Sequence, residues 1–229
     1  MLIAGLQKLT LLDYPGKTAC TVFTTGCNFR CPFCHNALLV THKVEEFISE
    51  DEFFSFLNKR QGILDGVCIT GGEPTLQKEL IPFMEKIRSM GFLIKLDTNG
   101  ARPEILKEIL TKKLADYVAM DIKASPDRYG EAVGIADFDF SCIAGSIRLL
   151  EESGIPHEFR TTVTEELHSE EDFEKILALF SAQTPYFIQQ FKDSGCLIDE
   201  GCHGWQTERM RRLRDILALQ HSNVSLREG

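Results

Sequence analysis

The chain has no apolar run long enough to cross a bilayer, which takes about 20 consecutive apolar residues, so no membrane association is expected. Its first residues, Met1 to Leu12, are mildly apolar but carry neither a basic leader nor a small-residue cleavage site, and no export signal is read there. Positive charge is in short supply: 25 Lys and Arg stand against 34 Asp and Glu, a net charge of −9. That excludes a general nucleic-acid binder, which needs a basic stripe, and fits small-molecule or protein partners. Low-complexity and Pro/Ser-rich segments are missing, so the 229 residues read as one domain, with 1–17 as an N-terminal extension and 192–229 as a C-terminal loop and helix. Thiols are plentiful, at eight, and with no export signal they are expected to be reduced and cytoplasmic rather than paired as disulfides. A second Cys-x-x-Cys pair is absent, because Cys196 and Cys202 have five residues between them and no partner pair.

Against those absences stands Cys27-Asn28-Phe29-Arg30-Cys31-Pro32-Phe33-Cys34. Three thiolates in so short a loop can hold an iron–sulfur cluster, which normally takes four cysteines. One iron then lacks a protein ligand and is open to a substrate or cofactor, as a catalytic zinc site keeps one vertex free. The competing reading adds His35 as a fourth ligand and closes a structural zinc site, although such sites usually draw a second ligand pair from a distant segment. Cys20, Cys68 and Cys142 fall in apolar segments and read as small core residues.

Short, nearly continuous apolar runs recur at 18–24, 66–70, 93–98, 117–122, 158–163 and 186–191, as expected of parallel strands covered by helices. Helical patterns lie between them. Ser49-Glu50-Asp51-Glu52 and Ser169-Glu170-Glu171-Asp172 are N-terminal capping signals, Gly91 and Gly154 are C-terminal stops, and Pro103 suits a first helical turn. Pro82 places the start of its helix near Glu79 or Leu80, and 207–219 reads as a basic amphipathic helix. Repeated βα units imply parallel strands joined by right-handed crossovers. A doubly wound sheet and an incomplete barrel both satisfy this pattern.

Polar residues collect where the strands end. The cysteine loop follows the first strand and Gly71-Gly72-Glu73-Pro74 the second; Asp97-Thr98-Asn99-Gly100 ends the third and Asp121-Ile122-Lys123 the fourth; Arg160-Thr161-Thr162 and Gln189-Gln190 lie on the fifth and sixth. In parallel α/β folds, sites form at the C-terminal strand ends. Two glycines let a ligand approach the main chain, although a lone Gly-Gly is also an ordinary strand-to-helix turn. Asp97, Asp121 and Lys123 taken singly read as caps or surface ion pairs of small energetic value. Together at one rim, carboxylates and amines suit a zwitterionic ligand.

Cys-x3-Cys-x2-Cys with Phe33 before its last cysteine, followed by Gly71-Gly72-Glu73-Pro74, resembles the radical S-adenosylmethionine superfamily across nearly the whole chain. Cys34-His35-Asn36, Asp97-Thr98-Asn99-Gly100 and Asp121-Ile122-Lys123 resemble the glycyl-radical-enzyme activating proteins, and Leu11-Leu12-Asp13-Tyr14-Pro15-Gly16-Lys17 is most similar to the anaerobic ribonucleotide reductase activating branch. The resemblance implies a partial (β/α)6 barrel of parallel strands with outer helices. It implies one 4Fe–4S cluster on Cys27, Cys31 and Cys34, whose open iron binds the amino and carboxylate groups of S-adenosylmethionine.

By the same resemblance Phe33 lies near the adenine, Asn36 hydrogen-bonds the cofactor, and Gly71, Gly72 and Glu73 receive its ammonium. Asp121 and Lys123 contact the cofactor, with Asp97, Thr98 and Arg160 beside them. Phe191 stands where pyruvate formate-lyase activating enzyme has a histidine near the adenine. The implied activity is anaerobic: an electron, from a flavodoxin or ferredoxin, splits the cofactor to a 5′-deoxyadenosyl radical that takes hydrogen from a glycine of a partner glycyl-radical enzyme. The loops 13–17 and 124–138 are expected at the mouth that admits it. The alternatives are a radical S-adenosylmethionine enzyme acting on a small molecule, which needs a polar pocket of its own, and a non-catalytic Cys/His metal-binding interaction module.

Overall fold

Each apolar run forms a strand, and a further strand flanks the set at either edge. The computed structural model describes residues 1–41, 44–193, 195, 197–199 and 201–228; Cys196 lies outside them. The strands are β1 (Ile3–Thr10), β2 (Ala19–Thr24), β3 (Gly66–Gly71), β4 (Leu93–Thr98), β5 (Tyr117–Asp121), β6 (His157–Val163), β7 (Tyr186–Gln190) and β8 (Val224–Arg227). They form one sheet in that same order. β1 runs antiparallel to β2, and every later neighbour pairs in parallel. A doubly wound sheet reverses its strand order at a switch point. This order never reverses, so the chain winds one way into an open, partial barrel.

The helices are α1 (Ala37–Val40), α2 (Glu50–Asn58), α3 (Leu80–Ser89), α4 (Pro103–Thr111), α5 (Tyr129–Val133), α6 (Ser141–Ser153), α7 (Glu170–Leu177) and α8 (Thr207–Ala218). Their ends follow the local chemistry. Ser49 Oγ accepts the Glu52 N–H at 3.1 Å, and the Ser169 N–H donates to Asp172 Oδ2 at 2.8 Å. Gly154 ends α6 with φ +69°, a left-handed conformation that glycine adopts at little cost. Pro82 sits in the first turn of α3 and Pro103 opens α4. Among the described residues no helix is long and apolar enough to cross a membrane.

Strand periodicity sorts the side chains. On β4, Ile94 and Leu96 are fully buried in the apolar core while Lys95 and Asp97 belong to the opposite face. On β6, Arg160 and Thr162 face the barrel cavity. The barrel thus has an apolar outer wall under the helices and a polar inner wall. Cys20 and Cys68 are completely buried, but Cys142 is not a core residue: it is half-buried in the first turn of α6, its thiol against the Asp139 carbonyl oxygen at 3.1 Å.

The 13–17 loop lies at the wrong end for a mouth. Thr10 pairs with Ala19, the Lys17 N–H donates to Tyr14 O at 3.1 Å, and the Thr18 N–H donates to Asp65 Oδ2 at 2.8 Å, just before β3 begins. Because β1 runs antiparallel, its C-terminal loop reaches the N-terminal ends of the other strands. Tyr14, 3% exposed and packed 6.2 Å from the Tyr117 ring, helps to floor the barrel.

Candidate active site

The cysteine loop leaves β2 at Thr24 and is held from several sides. The Gly26 N–H donates to Leu39 O at 2.7 Å and the Arg30 N–H to Val133 O at 2.9 Å, while the Arg30 guanidinium returns to the Cys27 and Phe29 carbonyls at 2.7 and 2.8 Å. Phe29 meets Phe138 edge-on at 5.4 Å and Tyr129 at 6.4 Å. The segment after β5 therefore does sit at the mouth, clamped onto the cysteine loop. Donors also point at sulfur: the Phe29 N–H lies 3.4 Å from Cys27 Sγ, and Asn99 Nδ2 lies 3.7 Å from it.

Cys31 is buried and Cys27 and Cys34 are half-buried, and all line one cavity of about 280 Å³. Burial pushes the Cys31 thiol up to about 12 and raises Cys27 as well, so a bound metal displaces protons from neutral thiols. Among the described residues no three Cys, His, Asp or Glu side chains converge as they would on a single ion. The His35 ring is turned against Phe191, 5.1 Å between centroids, with the Lys192 backbone beside it. It is not drawn in as a fourth ligand, and three thiols with N–H donors fit a cluster with one open corner. His35, not Phe191, lines the cavity.

Gly71 and Gly72 are required by main chain, not by space for a ligand alone. A Cβ on Gly71 would lie 2.3 Å from Thr24 N, and one on Gly72 would lie 2.0 Å from Gly26 O. The Gly72 N–H donates to Thr24 O at 2.9 Å and the Glu73 N–H to Gly26 O at 2.8 Å, locking this turn onto the cysteine loop. Asn36 Nδ2 donates to Gly71 O at 3.3 Å across the same seam.

Glu73 is 1% exposed and acts as a hub. Oε1 accepts the Thr75 N–H at 3.1 Å, the Thr75 hydroxyl at 2.6 Å and the Thr98 hydroxyl at 2.8 Å, and Oε2 accepts the Asn99 N–H at 2.6 Å. Burial raises its pKa while these donors pull it back. Its carboxylate ties the ends of β3 and β4 together, and Thr98 is spent on it.

A chain of alternating charges runs across β4, β5 and β6. Lys95 pairs with Asp97 Oδ1; Arg160 Nη1 reaches Asp97 Oδ2 at 3.3 Å and Arg160 Nε reaches Asp121 Oδ1 at 2.7 Å; Lys123 Nζ closes on Asp121 Oδ2 at 2.9 Å. Burial opposes ionisation of both aspartates, but Arg160 with Lys95 holds Asp97, and Arg160 with Lys123 holds Asp121, below the usual carboxylate range. Lys123 Nζ lies 6.0 Å from the centre of the Phe33 ring.

Every residue singled out from the sequence (Cys27, Cys31, Phe33, Cys34, Asn36, Gly71, Gly72, Glu73, Asp97, Thr98, Asp121, Lys123 and Arg160) lines this one cavity. Thr162 and Gln189, seen in the sequence as polar strand ends without a role, line it too. Two side chains in contact with these residues, Asn99 and Lys95, escaped that reading. Asn99 lay inside a motif already noted but gave no sign that it faces a thiol. Lys95 sits two residues before Asp97 on the same strand face, and strand alternation was the signal that could have found it.

A parallel barrel with one polar rim, where a three-thiol loop meets a glycine turn and a charge network, defines a class of enzymes that hold a small zwitterionic cofactor against a metal cluster. Residues 21–180 match the Radical SAM superfamily, and the chain belongs to that family, whose members use a 4Fe–4S cluster and S-adenosylmethionine. It is 35% identical over 208 residues, 87% of this chain and 83% of the relative, to a protein of Methanocaldococcus jannaschii provisionally named a glycyl-radical enzyme activating enzyme. It is 30% identical over 192 residues to the 7-carboxy-7-deazaguanine synthase of Koribacter versatilis, covering 82% and 79% of the two chains. The pyruvate formate-lyase-activating enzyme of Clostridium pasteurianum is 30% identical over 148 residues, 62% of this chain and 57% of that one. Among solved structures, Streptococcus suis SuiB bound to its precursor peptide SuiA superposes with a TM-score of 0.69 at 14% identity, over 90% of this chain. The chain spans about half the length of that structure, 48%, and the likeness concerns the fold.

Proposed function

We infer that this chain activates a partner glycyl-radical enzyme, with anaerobic ribonucleotide reductase the partner to try first. One observation carries the reading: the cavity, about 280 Å³, falls just below the range of small-molecule sites, roughly 300–1,000 Å³, and its polar wall would already be committed to the cluster and cofactor. The group that gives up hydrogen then has to enter from outside, as an extended glycine-bearing segment does. The names of the M. jannaschii and C. pasteurianum relatives support the same reading.

Cys27, Cys31 and Cys34 would hold the cluster. The carbonyls of Gly71 and Gly72 would receive the methionine ammonium, Asn36 keeping the first of them aimed, while Glu73 works from behind by fixing the turn through Thr75, Thr98 and Asn99. Lys123 and Arg160 would take the carboxylate, and Phe33 offers the adenine an apolar wall. Held by these residues, the cluster and S-adenosylmethionine would supply the radical chemistry for hydrogen-atom abstraction from a glycine of the partner. The protein positions them and excludes water. A flavodoxin or ferredoxin is the proposed electron donor.

The test is anaerobic incubation with reductant, S-adenosylmethionine and anaerobic ribonucleotide reductase. The expected result is a glycyl radical resonance on the partner, with one 5′-deoxyadenosine formed per radical. Deoxyadenosine without a partner radical, here and with pyruvate formate-lyase, overturns the reading. Formation of 7-carboxy-7-deazaguanine in that case would favour the small-molecule chemistry named for the K. versatilis relative.

A further inference from the structure

Lys95 is a buried cation that the cofactor contacts do not use. It is 2% exposed, stands on β4 between Cys68 of β3 and Tyr117 of β5, and does not reach the cavity. Its Nζ is bonded to Asp97 Oδ1 and lies 3.9 Å from Cys68 Sγ, a weak acceptor. Burying an ammonium is costly unless it is well paired, and among the described residues its one carboxylate partner is Asp97. The other acids near the barrel interior are engaged elsewhere: Glu158 with Arg227 and the Tyr117 hydroxyl, Asp13 with Thr21.

The consequence is a matter of counting. Asp97, Asp121, Arg160 and Lys123 balance, two charges of each sign, and Lys95 makes the bonded network net positive. It also decides which donors remain. With Lys95 on Oδ1, Asp97 offers Oδ2 to Arg160 Nη1, while Arg160 Nε is taken by Asp121. Arg160 Nη2 makes no hydrogen bond among the described residues, and Lys123 gives one N–H to Asp121. A guanidinium N–H and two ammonium N–H groups are left over from a network with one positive charge in excess, which suits one carboxylate, while Glu73 on the same cavity gives both its oxygens to Thr75, Thr98 and Asn99. Without Lys95 the Oδ1 of Asp97 is released, Arg160 can close on Asp97 bidentately, and the network becomes neutral.

We propose that Lys95 is a positioning residue that holds Asp97 and supplies the excess positive charge by which the site selects the carboxylate of its cofactor. This rests on S-adenosylmethionine being the ligand, and it commits Lys95 to act without touching it.

The experiment compares equilibrium binding of S-adenosylmethionine and of its decarboxylated form to the cluster-loaded protein under anaerobic conditions. Wild type favours the carboxylate-bearing ligand. Lys95→Met weakens S-adenosylmethionine roughly tenfold, the scale of one charge at this range in a partly shielded interior, and changes the decarboxylated ligand less than about twofold. Lys95→Gln keeps a hydrogen bond to Asp97 without the charge and loses the same preference. Both ligands are measured on one preparation, so partial unfolding lowers capacity and leaves the ratio of dissociation constants intact. Parallel weakening of both ligands in Lys95→Met, or a wild-type ratio in Lys95→Gln, overturns the proposal. No preference in wild type strikes instead at the carboxylate as the recognised group.

Discussion

Glu73 illustrates what the sequence shows at the scale of one residue and what it hides. Its place after two glycines marked it as a cofactor contact, and it does line the cavity, yet both oxygens are turned to Thr75, Thr98 and Asn99. No spacing rule reveals the part of that direction set by Thr98 and Asn99, because those donors come from a different strand end. Replacing Glu73 with Gln puts an amide N–H₂ against groups that are themselves donors, and a buried unsatisfied donor costs about 1–3 kcal/mol. Glu73→Gln should therefore lose about 2–4 kcal/mol in denaturant unfolding, as well as weakening S-adenosylmethionine. Unchanged stability would mean that the hub is not holding the turn.

His168 is the other informative residue, absent from the sequence reading because a lone histidine after a strand carries no signal. It is 3% exposed; Nδ1 accepts the Thr164 N–H at 3.2 Å and Nε2 donates to Lys123 O at 3.0 Å. A second ring proton would face the Thr164 N–H, and burial holds its pKa below the ordinary value. The unfolded chain takes up that proton near pH 6.5 and the folded chain does so only lower. Stability is then full above about pH 6.5 and falls as the pH drops below it, by at most about 1.4 kcal/mol per pH unit. Unfolding midpoints between pH 7 and 5 should show this slope, and His168→Phe should flatten it.

At the scale of elements, the six inner strands were legible because each is short, apolar and bounded by a turn, so their limits fall within a residue or so of 18–24, 66–70 and the rest. The edge strands were not. β1 has one hydrogen-bonded neighbour, breaks register twice and exposes Gln7, Lys8 and Leu9, so no alternation survives; β8 has four residues. Nor could the sequence say that the segment carrying α5 would clamp the cysteine loop, a contact between stretches about a hundred residues apart in the chain. Phe29 is the centre of that clamp, 2% exposed against Tyr129 and Phe138. Phe29→Ala is expected to cost about 3–5 kcal/mol and, with the loop loosened, to lower the iron and acid-labile sulfide retained after anaerobic reconstitution. Full cluster occupancy in a destabilised variant would separate the clamp's packing from its hold on the loop.

For the molecule as a whole, the same alternation that hides the polar groups inside the barrel makes closure of its open side an electrostatic matter. β8 is the far edge of the sheet, and its Arg227 reaches back to Glu158 on β6 with two bonds of 2.8 and 2.9 Å, its guanidinium 3.6 Å from the Phe187 ring centre. Glu158 is 1% exposed and also accepts the Tyr117 hydroxyl at 2.8 Å. Removing one member of such a pair leaves a buried charge uncompensated, while removing both does not. Arg227→Met should thus lose about 3–5 kcal/mol, and Glu158→Gln in that background should recover part of the loss. The double-mutant cycle measures the coupling. A coupling near zero would mean that β8 is held by its backbone ladder with β7 and by α8, and that the interior charges of the barrel do not help to fix its edge.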